Sequence, residues 1–504
     1  MKKFKFLMMA MAATMLAGFV SCQDDVDDPN SGKEKAQAYT SITIVVPNDA
    51  TTKSNEDSGL VSEATVDEYK INTVDLYFFE NDPAAAHVVT IRVAGTDLAT
   101  SSTGGTNATV KYTSEAMPIN NIGTFRVYAV INGGTAATVA NAAALEGMST
   151  THPGLSLGSV NTDGNSTNGG LIMTSRSAAG AVYATVTIGP EHIISNPATM
   201  TLDIERSVAK ISYKADNTAN TYDLDYGTPS NKIAEVEFQS YQLVNLMKDF
   251  YLFRRVNNLN TPLALANPGL NFGSVSDPST SGTGTSYNPY VIDPRTLAKT
   301  IDANSDVDAN IIVSGAGAIY NNGTASVALP TATTPSLLSY SLENTMHQES
   351  QKKGYTTGII FEAQITPEEV LDGTGTDIGS IPADFWYYQG KFYETLADVI
   401  SDNSLPTTIT SGNYSDFGIR EYKGGICYYK YWIKHFPDEN ETMFPMEYGI
   451  VRNNDYQLTI SSVSLPGDET GVYDPNEDDE IETRYFQVNL NIRPWITRVN
   501  NIKF

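Results

Sequence analysis

The chain has 504 residues, with 58 Asp and Glu against 32 Lys and Arg, and a formal net charge of −26 at pH 7. Such acidity disfavours nucleic acid as a partner, because a negatively charged surface repels a polyanion. A hydrophobic content of 41% argues against wholesale disorder, and the length allows two or more domains.

The remaining composition predicts the fold class. The chain contains 28 Tyr, and Gly, Asn, Ser and Thr crowd the segments between short runs of alternating apolar residues. Alternation with a period of two is typical of β-strands that bury one face. We therefore expect an all-β exported protein with long loops and only minor helices.

Residues 1–21 have the three-part layout of a secretory signal: a basic start, an apolar stretch, and the small Ser21 before Cys22. The apolar stretch is too short for a membrane span, which needs about 20 residues. Residues 16–22 resemble the lipobox of lipoprotein signal peptidase, so Cys22 is expected to carry the lipid. The acidic residues that follow resemble the tag that sends Bacteroidetes-type lipoproteins to the outer face of the outer membrane.

Removal of the signal peptide changes both charge and cysteine chemistry. It takes away three lysines, so 29 basic residues face 58 acidic ones and the net charge becomes −29. Only Cys22 and Cys427 occur in the chain, so lipid on Cys22 excludes an intrachain disulfide. Residues 22–38 are polar and acidic, and we expect them to form a flexible tether.

The first strand is predicted at 39–46 and ends at Pro47. The apolar residues on its one face are Ile42, Ile44 and Val46. The following stretch, 48–59, has no apolar side chain larger than alanine and is expected to be an exposed loop of the kind that proteases cut. Lys53 is the only basic residue in that loop.

Further elements follow in chain order. Strands are predicted at 69–79, 124–131, 181–188, 199–204, 234–246, 358–365, from Phe385 onward, 424–436 and 456–463. Short helices are predicted at 136–144 and 394–400. The low-complexity region 257–335 is expected to form long surface loops.

The C-terminal end has a clear alternating pattern. After a very acidic loop at 467–482, apolar residues share one face of a strand over 486–492. Pro494-Trp495 is expected to interrupt this strand, and another strand is predicted at 496–504. A terminal strand presents free backbone groups, which soluble proteins normally cover, so this one is expected to pair with something.

The sequence predicts no catalytic site, cofactor or metal site. Its five histidines are scattered, and no nucleophile elbow or phosphate-binding loop occurs. Cys427 is expected to be a buried strand thiol. The acidic run 474–480 could bind calcium but lacks the spacing of an EF-hand, so a solvated charge run is preferred. Aromatic residues at 428–432 could stack on sugars, but their alternation favours half of them in the core and half on ordinary surface.

Two patches resemble a known family. They are 205–210, Glu-Arg-Ser-Val-Ala-Lys, and the stretch from 428–432 through 451–458 to Pro494-Trp495. With the lipobox and the strand order, they look like the major-subunit branch of the Bacteroidales fimbrillin family, whose members build type V pili. The resemblance covers essentially the whole chain and is weakest at 257–335.

The resemblance implies a fold and an assembly mechanism. Such pilins have two β-sandwich-like domains in tandem, of transthyretin or immunoglobulin-like Greek-key type, here expected at 39–204 and 205–504. They travel to the surface as lipoproteins, and a trypsin-like protease cuts the loop after the first strand. Lipid and strand then leave together, and a C-terminal strand from a neighbouring subunit fills the groove.

Mapped onto this sequence, the resemblance implies cleavage between Lys53 and Ser54 and a donor strand within 486–504. Which of the two final strands is donated stays open, and the candidate donor residues are Phe486, Val488, Leu490, Ile492, Trp495, Ile502 and Phe504. The implied partners are copies of this chain, accessory anchor and tip pilins, the processing protease, host or bacterial surface ligands, and the outer membrane before processing. Adhesion and biofilm formation on an extracellular pilus are the implied outcome.

Two other functions stay open at this point. One is an anchor subunit, which would keep its first strand and lipid, or a tip subunit, which would accept a donor strand without offering one. The other is a glycan-binding surface lipoprotein, suggested by the Tyr and Trp content.

Overall fold

The computed structural model describes part of the chain. The described residues are 38–46, 62–65, 68–82, 86–102, 110–134, 136–151, 170–176, 181–227, 231–247, 249–256, 291–295, 311–312, 327–346, 350–435, 443, 447–479 and 485–496.

These residues contain 29 strands and very little helix. The first strands are β1 (Ala38–Val45), β2 (Ser62–Glu63), β3 (Thr73–Glu80), β4 (His87–Ala94), β5 (Leu98–Ser102), β6 (Val110–Ser114), β7 (Met117–Ile119), β8 (Gly123–Ile131), β9 (Ser149–Thr151), β10 (Met173–Ser175), β11 (Ala184–Ile188) and β12 (Ala198–Arg206). The next are β13 (Ala209–Tyr213), β14 (Thr221–Asp225), β15 (Lys232–Val244), β16 (Leu246–Met247), β17 (Asp249–Tyr251), β18 (Arg255–Val256), β19 (Val291–Ile292), β20 (Ile311–Ile312) and β21 (Val327–Ala328). The last are β22 (Ser336–Ser341), β23 (Gly358–Pro367), β24 (Phe385–Tyr388), β25 (Lys391–Tyr393), β26 (Arg420–Tyr422), β27 (Ile426–Trp432), β28 (Asn454–Val463) and β29 (Phe486–Ile496).

The helices are α1 (Ala142–Glu146) and α2 (Leu396–Asp402), with short 3-10 turns at Gly95–Asp97, Tyr414–Phe417 and Lys423–Gly425. No helix in the described part of the chain is long and apolar enough to cross a membrane. The predicted all-β class with minor helices is confirmed.

Two ten-stranded sheets organise the described residues. The first has the order β4-β3-β8-β10-β12-β1-β6-β5, with β11 paired to β8 and β7 to β1. The second has the order β2-β29-β28-β14-β15-β23-β27, with β13 paired to β28 and β22, and β21 to β15. The chain passes between the sheets at Ser207–Val208, because β12 belongs to the first and β13 to the second.

Each sheet has its own hydrophobic core, but the first core is not built from the first sheet alone. Phe250, Phe253, Leu342 and Met346 come from much later in the chain and are buried within it. In the same region β17 pairs antiparallel with β9, so 249–251 extend the structure begun at 149–151. The later half of the chain therefore completes the packing of the earlier half.

The helix boundaries differ from the predicted ones because capping side chains set them. α1 starts after Asn141, whose Oδ1 accepts a hydrogen bond of 2.8 Å from the Ala144 N–H, so the predicted start at Ala136 is wrong. α2 starts after Thr395 rather than at Glu394, because Thr395 and Asp398 form a capping box.

The predicted interruption at Pro494-Trp495 is also wrong. β29 continues through both residues to Ile496, and Pro494 stands opposite Asn454 of β28. Proline in a strand is tolerated where its nitrogen faces an open edge, and β29 has a strand on one side only at this position. The predicted strand at 496–504 lies outside the described residues beyond Ile496.

Candidate functional site

β1 lies in the middle of the first sheet. It runs parallel to β12, in register from Thr40 opposite Ala198 to Val45 opposite Asp203. Its other edge pairs antiparallel with β6 and, near its start, with β7. β1 therefore joins two parts of the sheet, and its hydrogen bonds satisfy backbone groups on both neighbours.

One face of β1 is part of the first core. Ile42, Ile44 and Val46 have exposed fractions of 1%, 0% and 0%, while the intervening side chains are only partly buried. Burial of such side chains contributes about 1.5–3 kcal/mol each. These three residues thus fill the space that any strand replacing β1 would have to fill. Their role in a removable strand stays a prediction.

Polar contacts fix β1 in register with its neighbours. The Thr40 hydroxyl is buried and donates a hydrogen bond of 2.9 Å to the Ala198 carbonyl on β12. On the other edge, the Ile42 N–H donates to the Ser114 hydroxyl at 3.0 Å. Because a slip by one residue would turn the apolar face outward, these contacts reinforce the register that burial already requires.

β29 is bound to its own chain. It pairs antiparallel with β28 from Phe486 opposite Val463 to Pro494 opposite Asn454. The Phe486 ring lies 6.2, 6.1 and 5.0 Å, centroid to centroid, from three core aromatic rings. Those rings belong to Phe238, Phe361 and Tyr429. Val488 and Leu490 also pack against the second core. These three predicted donor residues therefore already have an intramolecular environment.

The other edge of β29 is paired only at its end. There β2 runs parallel to it, with Ser62 opposite Trp495 and Glu63 opposite Ile496. Within the described residues, no other strand lies on that side of β29. The edge from Phe486 to Pro494 is thus a place where a further strand could add.

The other predicted site residues have simpler outcomes. Ile492 lies in β29 opposite Tyr456, and Trp495 lies opposite Ser62. Cys22, Lys53, Ser54, Ile502 and Phe504 lie outside the described residues. The lipidation, cleavage and donor assignments stay predictions.

The two patches that carried the family resemblance meet at the junction between the sheets. Arg206 is fully buried at the end of β12, and its Nη1 donates a hydrogen bond of 3.2 Å to the Asn453 side chain. Its Nε donates at 2.9 Å to the backbone carbonyl of Glu68. Burial lowers the pKa of Arg206 to about 10, which still leaves the guanidinium charged at neutral pH.

Glu68 is the centre of this junction, and sequence reasoning missed it. Its Oε1 accepts a hydrogen bond of 2.8 Å from the Tyr340 hydroxyl and lies 3.0 Å from Lys210 Nζ. Its Oε2 accepts from the Thr65 N–H at 2.6 Å. Burial, reinforced by Glu68, raises the pKa of Tyr340, so the phenol keeps its proton. The Thr-x-x-Glu pattern at 65–68, which matches a capping box, was the signal available in the sequence. Glu68, Arg206, Lys210, Tyr340 and Asn453 are called the junction cluster below.

A second buried ionic group lies beside the junction cluster. Arg452 and Glu343 are both fully buried and form a two-pronged pair, with N–O distances of 2.7 and 2.8 Å. Arg452 also donates to the carbonyls of Tyr251 and Leu252. Desolvation of a buried ion pair is costly, so the pair itself adds little net stability, whereas loss of one partner would leave an uncompensated buried charge.

The candidate reactive side chains are poorly placed for catalysis. Cys427 is completely buried, as predicted, and burial raises the pKa of its thiol to about 12. Burial lowers the pKa of His435 to about 3, and the Tyr456 hydroxyl lies 2.7 Å from its Nδ1. Among the described residues, no group of three or more His, Cys, Asp or Glu could hold a metal ion.

The acidic run is solvated only in part over 474–479, where Asp474 is exposed but the later carboxylates are paired or buried. Glu477 pairs with Lys353 at 2.8 Å, and Asp478 pairs with Lys352 at 3.3 Å. Asp479 is fully buried and accepts a hydrogen bond from the Thr356 hydroxyl. The carboxylates thus bind the loop to 352–356, a contact that local sequence cannot reveal.

The aromatic stretch at 428–432 belongs mainly to the interior. Trp432 is only 2% exposed and packs edge-to-face with Tyr473 at 4.8 Å. A cleft of about 360 Å³ lies beside it, where Lys430 pairs with Asp468 at 2.7 Å. Because the indole face is covered and the charged groups are paired, this cleft lacks the open aromatic platform that a sugar ring requires.

Comparison with known proteins is informative at the C-terminal end. Residues 420–501 match the family model described as major fimbrial subunit protein type IV, fimbrillin, C-terminal. This region of the chain resembles the C-terminal region of fimbrillins. The resemblance predicted from the sequence is confirmed, and the match contains β27, β28 and β29 with one of the two patches that suggested it.

Solved structures show weaker likeness. A fimbrilin from Porphyromonas gingivalis is 14% identical, with coverage of 91% of this chain and 98% of that one and a TM-score of 0.39. A candidate cell adhesion protein from Parabacteroides distasonis is 12% identical, with coverage of 91% and 99% and a TM-score of 0.40. The tip fimbrial protein Mfa3 from Porphyromonas gingivalis is 13% identical, with coverage of 90% and 100% and a TM-score of 0.32.

No curated protein sequence matches the chain. Because the TM-scores of the solved structures lie below 0.5, the description of the fold rests on the strand pairings of this chain alone.

Proposed function

We propose that this chain is a structural subunit of a surface fimbria, in which β1 is removed after export and replaced by a strand from another copy. The observation that carries the proposal is the position of β1. It comes first among the described strands, yet it lies between β12 and β6 with one face in the core. The fimbrillin C-terminal region supports the same function.

The acceptor site follows from the pairing of β1. Departure of the strand would leave ladder groups of β12 and β6 without partners and open the slot now filled by Ile42, Ile44 and Val46. Unsatisfied backbone groups and exposed apolar surface both disfavour an empty slot. A strand with alternating apolar residues would relieve both, which is β-augmentation by a donor strand.

The donor is proposed to come from the end of the chain. Phe486, Val488 and Leu490 already pack in their own core, so their donation would expose the surface that they now cover. We therefore favour the part of 486–504 that follows Ile492, whose apolar residues include Trp495, Ile502 and Phe504. Repeated head to tail, this contact does not close on itself and produces a filament.

Export and processing complete the proposal. Cys22 carries the lipid of a precursor at the outer membrane, and a trypsin-like protease cuts between Lys53 and Ser54. β1 then leaves with the lipid, and the subunit is held on the extracellular fimbria by its neighbours, by accessory anchor and tip subunits, and by surface ligands. Adhesion and biofilm formation would follow from the filament.

The test compares cut and uncut protein on denaturing gels, unheated and boiled. The chain from Gln23 is treated briefly with trypsin, and N-terminal sequencing identifies the cut. Matched controls are Lys53→Gln, which removes the cleavage site, and a chain truncated after Ile496, which keeps β29. A heat-sensitive ladder is expected only for the cut full-length chain. Equal monomer bands in every lane would reject the proposal.

Protein isolated from the cell surface separates a shaft subunit from an anchor subunit. A shaft subunit isolated from the cell surface would start at or near Ser54 and carry no lipid. An anchor subunit would keep Cys22, its lipid and β1. Mass spectrometry of the N-terminal peptide distinguishes the two.

A further inference from the structure

The strands that border the two proposed filament contacts form one connected path. β1 stands in the acceptor slot beside β12, and β12 continues through Ser207 and Val208 into β13. β13 pairs parallel with β28, beginning with Lys210 opposite Asp455. β28 pairs along its length with β29, the last strand of the described chain. Between the slot and β29, each strand is therefore joined to the next by ladder hydrogen bonds or by the chain itself.

Asn453 fixes the point at which this path crosses from one sheet to the other. Its N–H donates a hydrogen bond of 2.9 Å to the Val208 carbonyl, and its side chain accepts one of 3.2 Å from Arg206. It directly precedes β28, is 3% exposed and has a left-handed φ of 62°. Just beyond, the Ser212 hydroxyl on β13 donates to Asp455 on β28 at 2.7 Å. The end of β12 is thus bound directly to the start of β28.

The ends of the path define the direction of a pull on it. β12 reaches the crossing by its C-terminal end, Arg206, whereas β1 starts at the other end, where Thr40 stands opposite Ala198. The C-terminal end of β29 also lies at the crossing, because Pro494 stands opposite Asn454, the first residue of β28. Tension between the start of β1 and the end of β29 therefore acts along β12.

This direction determines how the ladder between β1 and β12 resists. β1 is pulled toward its start while β12 is held at its far end, so the ladder from Thr40 to Val45 is loaded in shear. The hydrogen bonds of a parallel ladder are evenly spaced, and in shear they share the force. A pull applied at Val45 would act at the crossing end of both strands. The ladder would then open one pair at a time, which requires less force.

We propose that β12, β13 and β28, joined at Asn453, transmit tension through the subunit from the strand in the acceptor slot to β29, and that they load that slot in shear. The inference rests on the proposed function for its purpose, because a subunit within a filament is stretched between its two neighbours. A donor strand that enters the slot from the end where β1 starts is loaded in the same way as β1. The small sheet of β24, β25 and β26 lies outside this path.

The path can be measured in single molecules without any polymer. The uncut chain from Gln23 is fused at both termini to marker domains and stretched by atomic force microscopy, with β1 in the slot. A second attachment replaces the N-terminal anchor by Val45→Cys, and Cys427 does not compete because it is buried. The rupture force is expected to fall to about half with the Val45 anchor, because forced unfolding follows the rate at which the ladder opens. The length of chain released identifies the strand that has left.

Two substitutions test the role of the crossing, with the chain pulled from its termini. Asn453→Gly keeps the left-handed backbone but removes the side chain that binds Arg206, and is expected to lower the rupture force. The matched control is Asn245→Gly. Asn245 is also buried with a left-handed φ of 57°, and its side chain donates to the carbonyls of Lys353 and Thr356. It follows β15, which β14 separates from β28, so this control is expected to lower chemical stability but not the rupture force.

Three outcomes would overturn the inference: equal rupture forces for the two attachments, an unchanged force in Asn453→Gly, or an equal loss of force in Asn245→Gly. If Asn453→Gly does not fold, the two attachments decide, because both leave Asn453 in place. The gel ladder reports separately on the proposed function. The predicted forces without a ladder would reject the fimbrial role and support the path of tension. A ladder with equal forces would do the reverse.

Discussion

Arg206 and Asn453 are 247 positions apart in the chain, and a hydrogen bond of 3.2 Å joins their side chains at the junction between the two sheets. Each belongs to one of the two patches that resembled the fimbrillins. The contact gives those patches a physical role: they fix the first sheet against the second. Because both residues are buried, the contact cannot be replaced by water without exposing the junction.

The buried pair beside this contact gives the first prediction. Arg452→Leu leaves the Glu343 carboxylate buried and unpaired, and is expected to lower the free energy of unfolding by about 3–5 kcal/mol. The double variant Arg452→Leu with Glu343→Leu should recover a large part of that loss. Denaturant unfolding of the wild type, the two single variants and the double variant measures the coupling free energy between the two side chains. Additive losses in the double variant would contradict the prediction.

The second prediction concerns β1 in the uncut chain. Ile44→Ala removes a completely buried side chain and is expected to cost about 2–5 kcal/mol, seen as a lower thermal midpoint. The neighbouring Thr43→Ala is the control, because Thr43 is only partly buried and its hydroxyl contact with Thr113 is exposed. Equal losses for the two variants would mean that the buried face of β1 contributes no more to stability than its partly buried face.

The third prediction uses the pH dependence of His435. Its pKa is about 3 in the folded chain because burial disfavours the charged ring, and it returns to about 6.5 on unfolding. The unfolded state therefore binds an extra proton between these values. Stability from this group is fully present above pH 6.5 and is lost as the pH falls toward 3.

The measurement compares wild type with His435→Gln from pH 7 to pH 4. The difference between their unfolding free energies is expected to shrink as the pH falls, because only the wild type takes up the extra proton. Carboxylates titrate in both proteins, so their contribution to the pH dependence of the unfolding free energy cancels in the comparison. A constant difference would show that His435 is not buried as a neutral ring.

The fourth prediction concerns Cys427. In a Cys22→Ser chain it is the only thiol, and it is completely buried with its pKa raised to about 12. Thiol reagents at pH 8 are expected to label no native protein and to label it fully in denaturant. Mass spectrometry of intact protein reports both. Rapid labelling of the native chain would place β27 at the surface.

Much of the fold is encoded locally. The period-two pattern of β1 predicted both the strand and the face that carries Ile44, and the pattern at 124–131 predicted β8, because each strand buries side chains on the faces that its sequence makes apolar. Pattern alone did not predict the continuation of β29 through Pro494, because that depends on which edge of the strand has a neighbour.

The junction cluster was beyond local sequence reasoning for a different reason. Glu68 acquires its role from Tyr340, which lies 272 positions later. Likewise, Asp479 is buried against Thr356, 123 positions earlier, although its acidic neighbours suggested a solvated loop. Contacts between residues so far apart in the chain depend on how the sheets pack. The sequence shows the two residues of each pair, but not that they meet.

The order of the strands also constrains how the protein folds. β1 is the first described strand to emerge, but Thr40 bonds to Ala198, 158 positions later, and the first core waits for Met346. The first sheet cannot finish folding before the chain is available as far as Met346. Contacts of such long sequence separation slow folding, and the apolar strands that form early stay unpaired until the late residues arrive.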